Sequence, residues 1–141
     1  MHTMDWRRIA LCGLVAGAAW TLMSIVLVSV GGGDFFAAIS ERMDGAPPAD
    51  SHLTLYLLSV AAGVWVMWVY ASIRPQIDSN VRAAVVAGLA WWIIASLQSL
   101  KWVVLLDIPT TAWLPLIANA VSSVIATVIG GLLYAASSPR T

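Results

Sequence analysis

The sequence predicts an all-α polytopic membrane protein: an antiparallel up-down-up-down bundle of four transmembrane helices, with a short interfacial helix in the first outer loop. Two observations carry this. Of 141 residues, 60% are hydrophobic and only 10% are charged, with a mean hydropathy of +0.87, whereas a soluble domain is about 25% charged. The few charges also lie almost wholly between four apolar runs of roughly 20 residues, the length that carries a helix across a bilayer core. One domain fills residues 1–141, with helices expected at about 8–31, 53–73, 81–106 and 112–136 and an outer loop at 32–52. Transmembrane barrels need short alternating strands, and these runs are too long and too uniformly apolar for that.

The first run, IALCGLVAGAAWTLMSIVLVSVGGG, lies between Arg8 and Asp34. Arg7 and Arg8 ahead of it resemble the start of a secretory signal. The apolar region from Ile9 to Val30 is about 22 residues long, beyond the roughly 7 to 15 of a cleaved signal, so an uncleaved first helix is expected. Its one cysteine, Cys12, has no intrachain partner and reads as a small buried hydrophobe. That excludes thiol-redox enzymes built on paired cysteines.

The first outer loop opens GGGDFFAAISERMDGAPPAD. Asp34 is a candidate N-cap, and Phe35, Phe36, Ile39 and Met43 follow at helical spacing on one face, which predicts a short amphipathic helix on the interface. An irregular loop whose phenylalanines dip into lipid is the competing reading. Gly45, Pro47 and Pro48 end this stretch.

The second run, LTLYLLSVAAGVWVMWVYASI, ends at Arg74 and Pro75, and the tight loop RPQIDSNVR leads to the third. Ser79 or Asn80 is expected to cap that third helix. The third run, AAVVAGLAWWIIASLQSLKWVVLL, is interrupted only by Lys101, and the fourth is uncharged between Asp107 and Arg140. Thr110 or Thr111 is a candidate cap for the fourth helix, with Pro115 in its first turn, where a missing N–H costs little.

Four crossings place both termini and the middle loop on one side. That side holds Arg7, Arg8, Arg74, Arg82 and Arg140, against Arg42 and Lys101 on the other. The excess of arginine predicts cytoplasmic termini in a cell inner membrane. With Asp5 and Asp78 counted, the inner side carries +3; with Asp34, Glu41, Asp44, Asp50 and Asp107, the outer side carries −3.

Two excesses remain. Gly13 and Gly17 form a G-x-x-x-G pair, and Ala118, Ser122, Ala126 and Gly130 recur every four residues beside a second stripe of Ser123, Thr127 and Gly131. Such stripes let backbones approach closely in lipid, which makes the fourth helix a packing centre, within the chain or against another subunit. There are also eight tryptophans. Trp6, Trp102 and Trp113 suit the interfacial belts, whereas Trp20, Trp65, Trp68, Trp91 and Trp92 fall deeper. Deep tryptophans fill space between helices, face lipid, or line a pocket for a flat quinone, carotenoid or chlorin; space filling is the favoured reading.

Intramembrane ionisable groups mark transport and proton relay, and no Asp, Glu, His or Arg falls within a span. A proton-coupled small multidrug exporter, which needs a membrane-embedded carboxylate, is therefore not expected. Haem b needs intramembrane histidines, but His2 and His52 are at helix ends, and no ligand pair suggests a metal site. What remains is a polar set in the outer half: Gln98, Lys101 and Asn119, with Ser24 and Ser59 at similar depth. These either hold helices together or meet a ligand's polar head, and the structural role is favoured. Lys101 lies about six residues inside its helix end, roughly 9 Å at the helical rise. It is expected to snorkel to the interface beside Trp102, with pairing to Asp34 or Glu41 and a ligand-facing role as alternatives.

The segments DWRRIALCGLVAGAAWTLMSIVL, VYASIRPQ and GGLLYAA resemble a recurrent pattern in small uncharacterised bacterial membrane proteins of about this length. The resemblance implies a four-helix inner-membrane protein and no activity or site residues. The functional expectation is a non-enzymatic accessory or scaffolding subunit that associates laterally with other membrane subunits or with itself. The alternative is a binder or carrier of a hydrophobic molecule (quinone, lipid or pigment), with Trp65, Trp68, Trp91, Trp92, Gln98, Lys101 and Asn119 as its site. A small channel or transporter for an uncharged substrate ranks third. Membrane lipid is an expected partner and nucleic acid is not; no cofactor is evident beyond such a bound lipid, quinone or pigment.

Overall fold

The computed structural model describes residues 5–27, 29–30, 37, 41–42, 49–105 and 113–137, with only the backbone of 49–52, 55, 101–103, 105 and 113–115. Four long helices dominate it: α1 (Trp6–Leu27), α2 (Ala49–Ile73), α3 (Asn80–Leu105) and α4 (Trp113–Ala136). Each contains a segment long and apolar enough to cross a membrane. The expected interfacial helix and the caps at Thr110 and Thr111 lie outside the described residues, apart from helical, exposed Ala37, Glu41 and Arg42.

Helix ends follow local chemistry. Asp5 starts α1 by accepting the Arg8 N–H at 3.3 Å on Oδ1, which satisfies one of the orphan donors of a first turn. After Ile73 a 3-10 turn, Arg74–Gln76, carries Pro75 and stops α2. Ser79 then caps α3 by accepting the Arg82 N–H at 3.4 Å. Asn80 takes a different part, accepting the Arg74 Nε–H at 2.8 Å across the loop.

Lipid tails are as apolar as leucine, so helix association must come from close packing and polar contacts. The closest approach joins α1 to α2. A methyl group on Gly17 would lie 2.7 Å from Val60 Cα, one on Gly13 would strike Val64, and one on Gly63 would strike the backbones of both Gly13 and Gly17. Residue numbers rise along α1 as they fall along the facing stretch of α2. On the other side, a Cβ on Gly88 of α3 would lie 2.9 Å from Val124 Cα of α4. The extensive contacts are α1 with α2, α3 with α4 and α1 with α4, and the seam between α2 and α3 is the loosest of the four.

Both stripes of α4 are used within the chain. Ser122, Ser123, Ala126, Thr127, Gly130 and Gly131 are buried and Ala118 is half-buried. The space beside Gly130 is closed by Met67, Ala16 and Cys12, and that beside Gly131 by Ala84 and Tyr70. Around them gathers the core of Ile9, Cys12, Ala16, Val66, Met67, Tyr70, Ala83, Ala84 and Ala87.

One end of the bundle is tied by a cluster absent from the sequence reading. Arg8 donates from Nε to Ser137 Oγ at 3.1 Å and from Nη2 to the Tyr134 carbonyl, and its guanidinium lies 4.5 Å from the Tyr134 ring centre. The last carbonyls of a helix lack internal donors and attract a cation. Tyr70, fully buried, packs edge-on to Tyr134 at 5.8 Å and donates its hydroxyl to the Gly131 carbonyl at 3.2 Å.

Gly63→Val is expected to destabilise the fold by about 3 kcal/mol, the upper end of overpacking costs, whereas Ala18→Val on the exposed side of α1 changes little; chemical unfolding in detergent compares them. Arg8→Lys keeps the charge but loses the planar fork. It should lower the melting temperature, by about 1 kcal/mol of stability, more than Arg7→Lys does at its exposed neighbour; a thermal melt that ranks them equally would remove the clamp.

Candidate functional site

The deep tryptophans form a continuous aromatic chain. Trp20 of α1 meets Trp91 of α3 edge-on at 5.8 Å, Trp91 meets Trp65 of α2 at 6.0 Å, and Trp65 meets Trp68 at 6.3 Å. All three separations fall within the range of attractive aromatic pairs. The chain runs from inside the bundle to its surface: Trp20 and Trp91 are half-buried, while Trp65 and Trp68 are 46% and 38% exposed. The Trp65–Trp91 pair therefore bridges α2 and α3 at the seam those helices otherwise pack least.

Helical spacing explains the arrangement. Trp65 and Trp68 are three residues apart and so share a face of α2. Trp91 and Trp92 point about 100° apart on α3, which sends them to different neighbours. Trp91 joins the aromatic chain, and Trp92 donates its indole N–H to the Leu116 carbonyl of α4 at 2.9 Å. Trp92 is thus a strut between helices, separate from the chain.

The polar set is distributed in the same way. Asn119 accepts the Trp20 indole N–H at 2.9 Å, joining α1 to α4, whereas Gln98 is exposed on α3. The α3 backbone continues through Lys101 to Leu105, four residues or about 6 Å at the helical rise; the Lys101 side chain lies outside the described residues. Ser24 and Ser59 are half-buried. Trp20 was not among the site residues expected from the sequence. Its depth was legible, but its partners sit on two other helices.

Behind Trp91 lies a partly open space of about 10 Å³, lined chiefly by small residues including Ala16, Gly17, Ala62, Gly63 and Ala126 together with Trp20 and Trp91. That is about the volume that admits one water, so a whole aromatic ring does not fit inside it. Ser123 and Thr127 also line it, with their hydroxyl hydrogens already committed: Ser123 lies 2.9 Å from the Ala120 carbonyl and 3.3 Å from that of Gly88, and Thr127 donates to the Ser123 carbonyl at 2.7 Å. No group of three metal-ligating side chains occurs among the described residues. Elsewhere, Ser96 is 8% exposed and its hydroxyl has no partner among the described residues.

The aromatic chain predicts a spectroscopic signature. Trp91→Phe removes the contacts to both Trp20 and Trp65, so near-ultraviolet circular dichroism should fall by clearly more than one tryptophan's share, while Trp6→Phe at an exposed helix end should cost only its own. Equal losses would mean that the indoles are not coupled. Comparison with protein-family models, curated proteins and solved structures finds no match, and the functional reading rests on this geometry.

Proposed function

We propose that this chain is a non-enzymatic, multi-pass protein of a bacterial inner membrane that binds or carries a flat hydrophobic small molecule at the seam between α2 and α3. Its helices would run up-down-up-down with both termini cytoplasmic, a reading supported by the arginine excess at that end and by the Arg8 clamp between the start of α1 and the end of α4. The observation that carries the functional reading is the chain Trp20–Trp91–Trp65–Trp68, which brings indole faces from three helices to a half-exposed seam. Large, rigid aromatic faces with few polar groups are the usual lining of sites for hydrophobic ligands.

Lateral association as an accessory subunit or homo-oligomer is the second reading. Its sequence motive was the small-residue stripes, and those are occupied by neighbouring helices of the same chain. What favours it still is the α2 surface, where Leu57, Leu58, Trp65 and Trp68 are exposed together.

Native mass spectrometry directly from membranes, followed by organic extraction of the purified protein, separates the two. The proposed function expects a stoichiometric aromatic or isoprenoid compound that is lost in Trp65→Ala/Trp91→Ala. A stable protein partner or oligomer with no retained compound would favour the second reading and overturn the first.

A further inference from the structure

We infer that the outward sides of α1 and α3 each hold an anionic phospholipid at the arginine-bearing end of the bundle, its phosphate on Arg7 or Arg82 and an acyl chain along the apolar stripe that follows. This goes beyond the preceding reading, because it concerns the outward faces of two helices and does not depend on any ligand at the seam between α2 and α3.

The same arrangement occurs twice. In α3, Arg82 is followed at four, seven and eleven residues by Val86, Leu89 and Ile93, and all four are exposed. In α1, Arg7 is followed at the same intervals by Leu11, Leu14 and Ala18, again all exposed. Those intervals return to nearly one side of a helix, so each arginine stands at the end of an outward apolar stripe. Cys12 of α1 and Ala84 of α3 lie against the adjacent Gly130 and Gly131 of α4, which sets the starts of both helices at one end of the bundle. Eleven residues rise about 16 Å, roughly one leaflet of a hydrocarbon core about 30 Å thick. A stripe of that length with a cation at its end fits a single phospholipid from phosphate to chain terminus.

Charge selects the lipid class. Among the described residues at this end, Arg7, Arg8, Arg74 and Arg82 are offset only by Asp5 and Asp78. Arg8 is turned onto Ser137 and the Tyr134 carbonyl, whereas Arg7 and Arg82 are exposed. A guanidinium binds phosphate through two parallel N–H bonds while its apolar stem lies along the stripe. A zwitterionic lipid carries its own cation beside the phosphate, and that repulsion weakens the attraction. Trp6, 62% exposed next to Arg7, suits the same head-group level.

Spin-labelled phosphatidylglycerol and phosphatidylcholine, each added to the full chain in phosphatidylcholine bilayers, report the share of each lipid held at the protein surface. At low salt phosphatidylglycerol should be favoured about threefold, the roughly fivefold attraction of one surface arginine diluted by boundary positions that lack one. In about 1 M salt the preference should largely vanish. Arg7→Gln/Arg82→Gln should bring the two lipids level, whereas Arg42→Gln, at an exposed position outside these helices, should change nothing. The single Arg82→Gln variant serves if the pair does not fold, and should reduce the preference. Equal association of both lipids with the unmodified chain would overturn the inference, as would a preference that the double variant leaves intact or that Arg42→Gln abolishes. Loss of the preference in excess glycerol phosphate at constant ionic strength would mark a site for the anionic head alone and overturn the lipid assignment. Retention of a flat compound at the seam is read separately by extraction, so either reading can fail without the other.

Discussion

The fold depends on the approach of α1 to α2 at Gly13, Gly17 and Gly63. In water, burying leucine would drive two helices together; between apolar surroundings that drive is largely absent, and contact must be gained by bringing backbones close. Gly63 lies between Gly13 and Gly17 with no room for a methyl group, so the backbones themselves form the interface. This fixes the height of α2 against α1. Everything farther along α2, including Trp65, Trp68 and Tyr70, takes its place from that register.

A second economy concerns polar groups. Most hydroxyls in the helices return their hydrogen to a carbonyl one turn back, as Thr21 does to Gly17 and Ser122 to Ala118, which satisfies them without a neighbour. The bonds that reach between helices among the described residues are fewer: Trp20 to Asn119, Trp92 to Leu116, Tyr70 to Gly131, Arg8 to the end of α4, and Ser123 of α4 to Gly88. All five have one end on α4. That helix is therefore a packing centre in a fuller sense than small residues alone imply, because it receives backbones along one stripe and donors along its length.

The consequence for function is an asymmetry. Where α1 meets α2 and α3 meets α4, glycines close the gap. Where α2 meets α3, indoles stand in it, and bulky rings hold helices farther apart than hydrogen atoms do. The seam is the part of the bundle where shape is set by side chains. Close backbone packing and the aromatic seam are thus divided between different helix pairs.

Much of this was legible one residue at a time. Apolar runs near 20 residues identify four spans, Pro75 with Ser79 marks the turn between α2 and α3, and the four-residue recurrence on α4 identifies its packing face, because each depends on neighbours close in sequence. The partner of Gly13 and Gly17 was not legible, since Gly63 is a lone glycine with no local pattern to distinguish it. Arg8 read only as one of the inner-side arginines, and its bonds to Tyr134 and Ser137 join residues more than 120 positions apart. The polar trio of Gln98, Lys101 and Asn119 was inferred from similar depth, but depth leaves rotation about the helix axis open, and rotation gave Asn119 to Trp20. The sequence by itself determined length, hydropathy and helical periodicity, which specify what crosses a membrane. Only the tertiary structure decided which tryptophans meet, because that depends on the register and rotation of helices held together by backbone contact.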